Sequence, residues 1–242
     1  MRVDVVTLFP ELFVTFLATS MVGRAVASKA LTVRLKNPRE FGIGKHRSVD
    51  DTPYGGGSGM LMRVDCIVAS LEALDAEAAA EPSPGPRAHR VLMCPQGKPL
   101  GQAKVLELCE RPALALVCGR YEGFDERVRS FVDEEISLGD FVLTGGEVAA
   151  MAILDACSRW LPGVLGNAAS SSDESHSPAM GGLLEYPQYT RPVEFRGARV
   201  PEVLQGGNHA AIAAFRKAEA EQRTAERRPD LVTSARKDTQ DR

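Results

Sequence analysis

The chain has 242 residues, 44% hydrophobic and 25% charged, with a formal net charge of −3; this is an ordinary globular balance, enough for one large core or a large and a small domain. No apolar run approaches the ~20 residues of a membrane span, the N-terminus lacks a secretory leader's order, and the net charge argues against an indiscriminate nucleic-acid binder. Five cysteines (66, 94, 109, 118, 157) without a C-x-x-C pair and four scattered histidines point to reduced, mostly buried thiols in a cytoplasmic protein and away from zinc.

In chain order, "VDVVTLF" (3–9) is a β-branched strand candidate ended by Pro10, and "ELFVTFLATSMVGRAVAS" (11–28) has helical spacing. "LTVRLKNP" (31–38) alternates like a strand, and "VDCIVASLEALDAEAAA" (64–80) is helical, with a turn-rich connector at 81–88. "HRVLMC" (89–94) and "ALALVC" (113–118) suit buried parallel strands, with helical "QAKVLELCE" (102–110) between them. "DERVRSFV" is expected as a helix, "EISL" as a strand, and Glu147 to Trp160 as a helix. This alternation predicts an α/β fold with a mostly parallel sheet and helices on both faces.

Beyond Pro162 the character changes. Residues 163–182 are rich in Ser, Gly and Ala and contain no Lys or Arg, as in a flexible linker. Residues 183–242 are short of strands, and Asn208 is a good N-cap for a helix to about residue 225. The expected division is therefore a domain at 1–162, a linker at 163–182 and a small helical domain at 183–242.

Open parallel sheets bind ligands beyond the carboxyl ends of their strands. Three glycine-containing loops stand there: "CPQGKPLG" (94–101), "CGRYEGFDER" (118–127) and "SLGDFVLTGGE" (137–147). None is a dinucleotide or P-loop fingerprint, and none carries a basic cradle. A neutral or cationic ligand gripped by backbone groups, such as adenosine bearing a sulfonium, suits them better than a polyphosphate. Tight strand–helix turns alone would also account for any one of these glycines.

A fourth loop, "KHRSVDDTPYGGGSGMLM" (45–62), joins Lys45, His46 and Arg47 to Tyr54 and a glycine run. Its basic residues could meet phosphates and its tyrosine could stack on a base; a plain surface loop is the alternative. Lys and Arg outnumber acids seven to three in 29–63 and eleven to eight in 191–242, against nine to sixteen in 64–162. Two basic flanks could hold a nucleic-acid backbone, although on charge alone solvated helix faces are the simpler reading.

Taken in order, "VDDTPYGGGSGMLM", "CPQGKPL", "CGRYEGFDERV", "SLGDFVLTGGEVAAMAILDACSRWLPGVLGN", "LLEYPQYTRP" and "GNHAAIAAFR" resemble the bacterial tRNA (guanine-N1)-methyltransferase family, TrmD, of the SPOUT class. The resemblance implies a trefoil knot in the N-terminal domain, a homodimer with active sites shared between subunits, and S-adenosyl-L-methionine as cofactor. It places Gly119, Leu138, Gly139, Asp140, Phe141, Val142 and Leu143 at the cofactor, with Pro95, Gln96, Gly97, Tyr121, Glu122, Gly123, Gly145 and Gly146 as neighbours. The implied reaction methylates N1 of guanosine-37, 3′ to the tRNA anticodon.

The family uses a linker Asp as base and an Arg after the knot. The Arg falls on Arg159 in "ACSRW". The usual Asp-Ser motif is altered to "SSDESHS", where an ungapped count puts Glu174 in the base position, with Asp173 one residue earlier as the alternative. Thr52 stands where the family usually has Arg, and Cys94 replaces a common Ser. The resemblance also raises magnesium with Glu122 as a contact, though a lone carboxylate does not make a magnesium site. Arg191, Arg196, Arg199, Arg216, Lys217 and Arg223 are expected to face tRNA, together with the Asn208–His209 helix start.

Overall fold

The computed structural model describes residues 1–83, 85–165 and 174–232, and the chain divides into two compact units, Met1–Gly166 and Asn167–Arg242. In chain order the first unit contains β1 (Arg2–Val6), α1 (Glu11–Ala18), α2 (Ser20–Ala27), β2 (Thr32–Lys36), β3 (Asp50–Asp51), β4 (Leu61–Met62) and α3 (Val64–Ala79). It continues through β5 (His89–Pro99), α4 (Gln102–Cys109), β6 (Ala113–Cys118), β7 (Glu134–Ser137) and α5 (Glu147–Ser158).

Five strands form one sheet in the order β2-β1-β6-β5-β7, and every pairing in it is parallel. Side chains alternate across a strand, so the apolar runs feed two cores at once. Val3, Val5, Leu114 and Leu116 pack on one face with Phe13, Val22, Val105, Ile153 and Leu154. Val6, Leu92, Ala115 and Val117 pack on the other with Cys66, Ile67, Leu71, Leu74 and Val128. All six residues of β6 are buried, as its central place in the order requires.

Four local expectations are corrected. The helical segment at 11–28 is two helices, because Thr19 is extended (φ −116, ψ 145) and Ser20 has φ 56. A β-carbon on Gly23 would come within 2.7 Å of the Ala18 carbonyl carbon, so the second helix starts by folding its backbone onto the end of the first. The strand at 89–94 runs on to Pro99, with its register against β7 shifting between Met93 and Lys98. Glu126–Phe131 is a 3-10 turn rather than an α-helix, with Asp125 accepting from the Arg127 N–H. Around the glycine loop, β3 and β4 pair antiparallel, and Gly55, Gly56, Gly57 and Gly59 all take positive φ between them.

The second unit carries turns from residue 174, an antiparallel hairpin of β8 (Glu194–Phe195) and β9 (Ala198–Arg199), and α6 (His209–Arg227). The hairpin is an element the sequence reading did not foresee; its strands are two residues long and exposed, too short for an alternating pattern. Asn208 does cap α6, its side chain accepting from the Ala211 N–H at 3.1 Å. Within this unit the 174–186 stretch is tied to α6: the Leu184 N–H donates to Thr224 Oγ1 at 2.9 Å, and the Arg223 guanidinium to the Glu185 carbonyl at 3.4 Å.

Candidate active site

The ends of β5, β6 and β7 open into one cavity of about 290 Å³ in the first unit, close to the lower size of small-molecule sites. Gly146 explains how three strand ends converge there. Its N–H donates to the Gly119 carbonyl at 2.9 Å, and a β-carbon on it would lie 2.8 Å from Cys118 Cα. The start of α5 therefore lies directly against the end of β6. A second close passage is made by Gly97, where a β-carbon would lie 2.5 Å from the Ile136 nitrogen of β7.

Twelve of the residues picked from sequence line this cavity: Pro95, Gln96, Gly119, Tyr121, Glu122, Gly123, Leu138, Phe141, Val142, Leu143, Gly145 and Gly146. Gly97, Gly139 and Asp140 do not. Gly97 serves the β5–β7 passage just described. Gly139 turns the loop at φ 153 and is bracketed by Ser137 Oγ, which donates to its carbonyl at 3.0 Å and accepts from its N–H at 3.1 Å. Asp140 is exposed. Gly119 is needed for packing too: a β-carbon would meet the Phe124 ring at 2.7 Å. Tyr121 adopts φ 59, a backbone that side-chain-bearing residues rarely take and that concentrates at functional loops.

Two arginines at the site were not singled out from sequence. Arg120 and Arg129 both line the cavity, and both are already matched by carboxylates. Arg120 Nε lies 3.0 Å from Glu147 Oε2. Arg129 pairs with Glu135 and with Glu126, and donates to Gln96 Oε1 at 2.7 Å. The Glu135 and Glu126 bonds hold the Arg129 guanidinium above its usual value. Burial pushes the Cys118 thiol well up, and the Glu147 carboxylate adds to it. The only sequence signal for this network was an acidic residue directly after Gly145-Gly146, which also fits the favourable charge at a helix N-terminus.

The lining is thus mostly apolar side chain and glycine backbone, with Gln96, Tyr121, Ser137 and Thr144 as neutral polar groups; its two guanidiniums are matched by carboxylates, and Glu122 adds a further acid. A polyphosphate would find no spare positive charge, whereas a sulfonium-bearing nucleoside would meet apolar walls and a nearby carboxylate. Among the described residues no three His, Cys, Asp or Glu converge on one point, so the chain builds no all-protein metal cage, and Glu122 offers the cavity a carboxylate but not a complete magnesium site. Nor is any helix among the described residues long and apolar enough to cross a membrane.

Arg159 lies immediately past the last turn of α5. Glu174 opens the described part of the second unit, where its carbonyl accepts from the Ser177 N–H at 3.1 Å. Asp173 lies outside the described residues.

Residues 1–234 match the family described as tRNA (Guanine-1)-methyltransferase TrmD. The chain belongs to this family. It is 72% identical over 250 residues to a tRNA (guanine-N(1)-)-methyltransferase of Sorangium cellulosum, covering 98% of this chain and 95% of the relative. A protein of the same description from Cupriavidus necator is 50% identical over 239 residues, covering 98% and 90%. One from Rhodopseudomonas palustris is 51% identical over 234 residues, covering 96% and 89%. TrmD membership therefore rests on nearly the whole chain, and the strand-end cavity lies within the matched span.

Proposed function

We propose that the protein transfers the methyl group of S-adenosyl-L-methionine to N1 of guanosine-37, 3′ to the anticodon of tRNA. The observation that carries this reading is a TrmD-family chain whose three strand-end loops form one cavity with mostly apolar walls and both lining arginines matched by carboxylates. S-adenosylmethionine, when bound, supplies an electrophilic methyl on a sulfonium sulfur.

The rest falls to this chain's residues. Phe141, Val142 and Leu143 offer apolar surface to the adenine, and the Gly145–Gly146 and Gly119 backbones allow close approach. Guanine N1 carries a hydrogen and is a poor nucleophile until it leaves. The Glu174 carboxylate takes that proton as the nitrogen gains the methyl, and the sulfonium becomes a neutral thioether. Arg159 stabilises the negative charge that develops on O6.

The close passages at Gly146 and Gly97 support a trefoil knot in the first unit. Exposed apolar residues on α1 and α5, Leu12, Val14 and Val148, support a homodimer, and we assign one subunit's Glu174 to the other's cavity. In the second unit, Arg216 lies over the Tyr186 ring at 4.7 Å beside Lys217, and these residues with Arg223 contact the tRNA backbone. Transfer of labelled methyl to tRNA transcripts tests the whole reading. A transcript with guanosine 3′ to the anticodon becomes labelled, and its adenosine counterpart does not; equal labelling of both would overturn the assignment.

A further inference from the structure

Glu147 is 1% exposed and Thr7 is fully buried, and Glu147 joins Thr7 on one side to Arg120, which reaches the 138–146 loop, on the other. Thr7, just past the end of β1, donates from Oγ1 to Glu147 Oε1 at 2.9 Å and accepts from the Phe9 N–H at 3.0 Å. The other carboxylate oxygen faces Arg120 Nε at 3.0 Å. That contact is ionic without hydrogen-bond alignment, and both atoms are buried with no other hydrogen-bond partner among the described residues. The guanidinium stacks on the Phe9 ring at 4.4 Å and donates through Nη1 to the Thr144 carbonyl at 3.3 Å. Gly145 leaves the arginine its space: a β-carbon there would lie 2.3 Å from Arg120 Nε and 2.5 Å from Glu147 Oε2.

We infer that Thr7, Glu147 and Arg120 are positioning residues that hold the 138–146 loop, through the Thr144 carbonyl, in the shape that receives the cofactor. This inference rests on the proposed reading of the cavity. A buried ion pair is poor value for stability alone, because desolvation offsets most of its attraction. An arginine that merely neutralised Glu147 would not also need to reach a loop carbonyl. The three residues come from the ends of β1 and β6 and the start of α5, so the loop is referenced to the rigid sheet rather than to its own backbone.

The test uses S-adenosylhomocysteine binding by calorimetry, well below the melting midpoint of each protein, alongside KM for S-adenosylmethionine and for tRNA. Arg120→Met keeps the stem and loses the charge and the Thr144 bond. Arg120→Lys can still neutralise Glu147 but cannot span Glu147, the Phe9 face and Thr144 together. Both variants are expected to bind S-adenosylhomocysteine about tenfold or more weakly, which is the loss of about one charge-assisted hydrogen bond. KM for S-adenosylmethionine should rise with KM for tRNA unchanged. If Arg120→Met fails to fold, Arg120→Lys decides. Wild-type affinity in either folded variant would overturn the inference, since a purely structural pair would change melting and leave the affinity of the folded protein intact. Absence of binding by the wild-type protein would instead overturn the reading of the cavity itself.

Discussion

Arg129 and Gln96 are joined across the cavity rim by a 2.7 Å hydrogen bond from the guanidinium to Gln96 Oε1. The same guanidinium pairs with Glu135, next to Ile136 on β7, and with Glu126. The 3-10 turn thus fixes a side chain at the register shift of β5 that backbone bonds alone leave free to rotate. Arg129→Ala should weaken S-adenosylhomocysteine binding several-fold by calorimetry while changing the melting midpoint little, because the lost pairs are partly exposed. A large drop in melting temperature with unchanged affinity would assign Arg129 to stability instead.

Gly146→Ala forces a β-carbon to within 2.8 Å of Cys118 Cα and 2.9 Å of the Gly119 nitrogen. Backbone, not a yielding side chain, stands in the way. The expected cost is about 1–3 kcal/mol of stability, measured by denaturant unfolding, together with loss of cofactor binding. A variant with wild-type stability and affinity would show that the two segments can separate freely.

Asp133 supplies a pH dependence whose sign is fixed. Desolvation pushes its carboxyl up, but the Arg90 N–H and the Arg87 guanidinium outweigh that and hold it below the usual range. Its contribution is therefore fully present above the ordinary carboxylate value of about 3.9 and disappears as pH falls through the lower folded value. Asp133→Asn should destabilise by about 1 kcal/mol at pH 5, and the gap to wild type should close as the pH is taken down through the acid range. Denaturant unfolding across that range checks it; a gap unchanged in strong acid would refute it.

Glu174→Gln should lower methyl transfer by about 10²-fold or more, the usual worth of a general base, without changing S-adenosylhomocysteine affinity. If Asp173 is the base, Asp173→Asn will show that loss and Glu174→Gln will not.

The sheet was legible because its central strands are short apolar runs, as in "ALALVC", whose six consecutive buried residues suit a strand covered on both faces. The strand-end loops were legible as glycine without a concentrated basic cradle. What could not be read was anything set by contact across the fold. The break at Thr19 depends on Gly23 meeting Ala18, and the run of β5 to Pro99 on pairing with β7. Gly97 and Gly139 look like their cavity-lining neighbours in sequence, yet one serves strand packing and the other a turn. Arg120 and Glu147 are 27 positions apart in the chain and 3.0 Å apart in the fold, and no periodicity links them.

The most direct measurement is a crystal structure of the protein with S-adenosylhomocysteine. The nucleoside is expected to be held by Gln96, the Gly119–Gly123 turn and the Phe141–Leu143 segment, with Arg120 still bonded to the Thr144 carbonyl. Density for the ligand elsewhere on the chain, with this cavity empty, would contradict it.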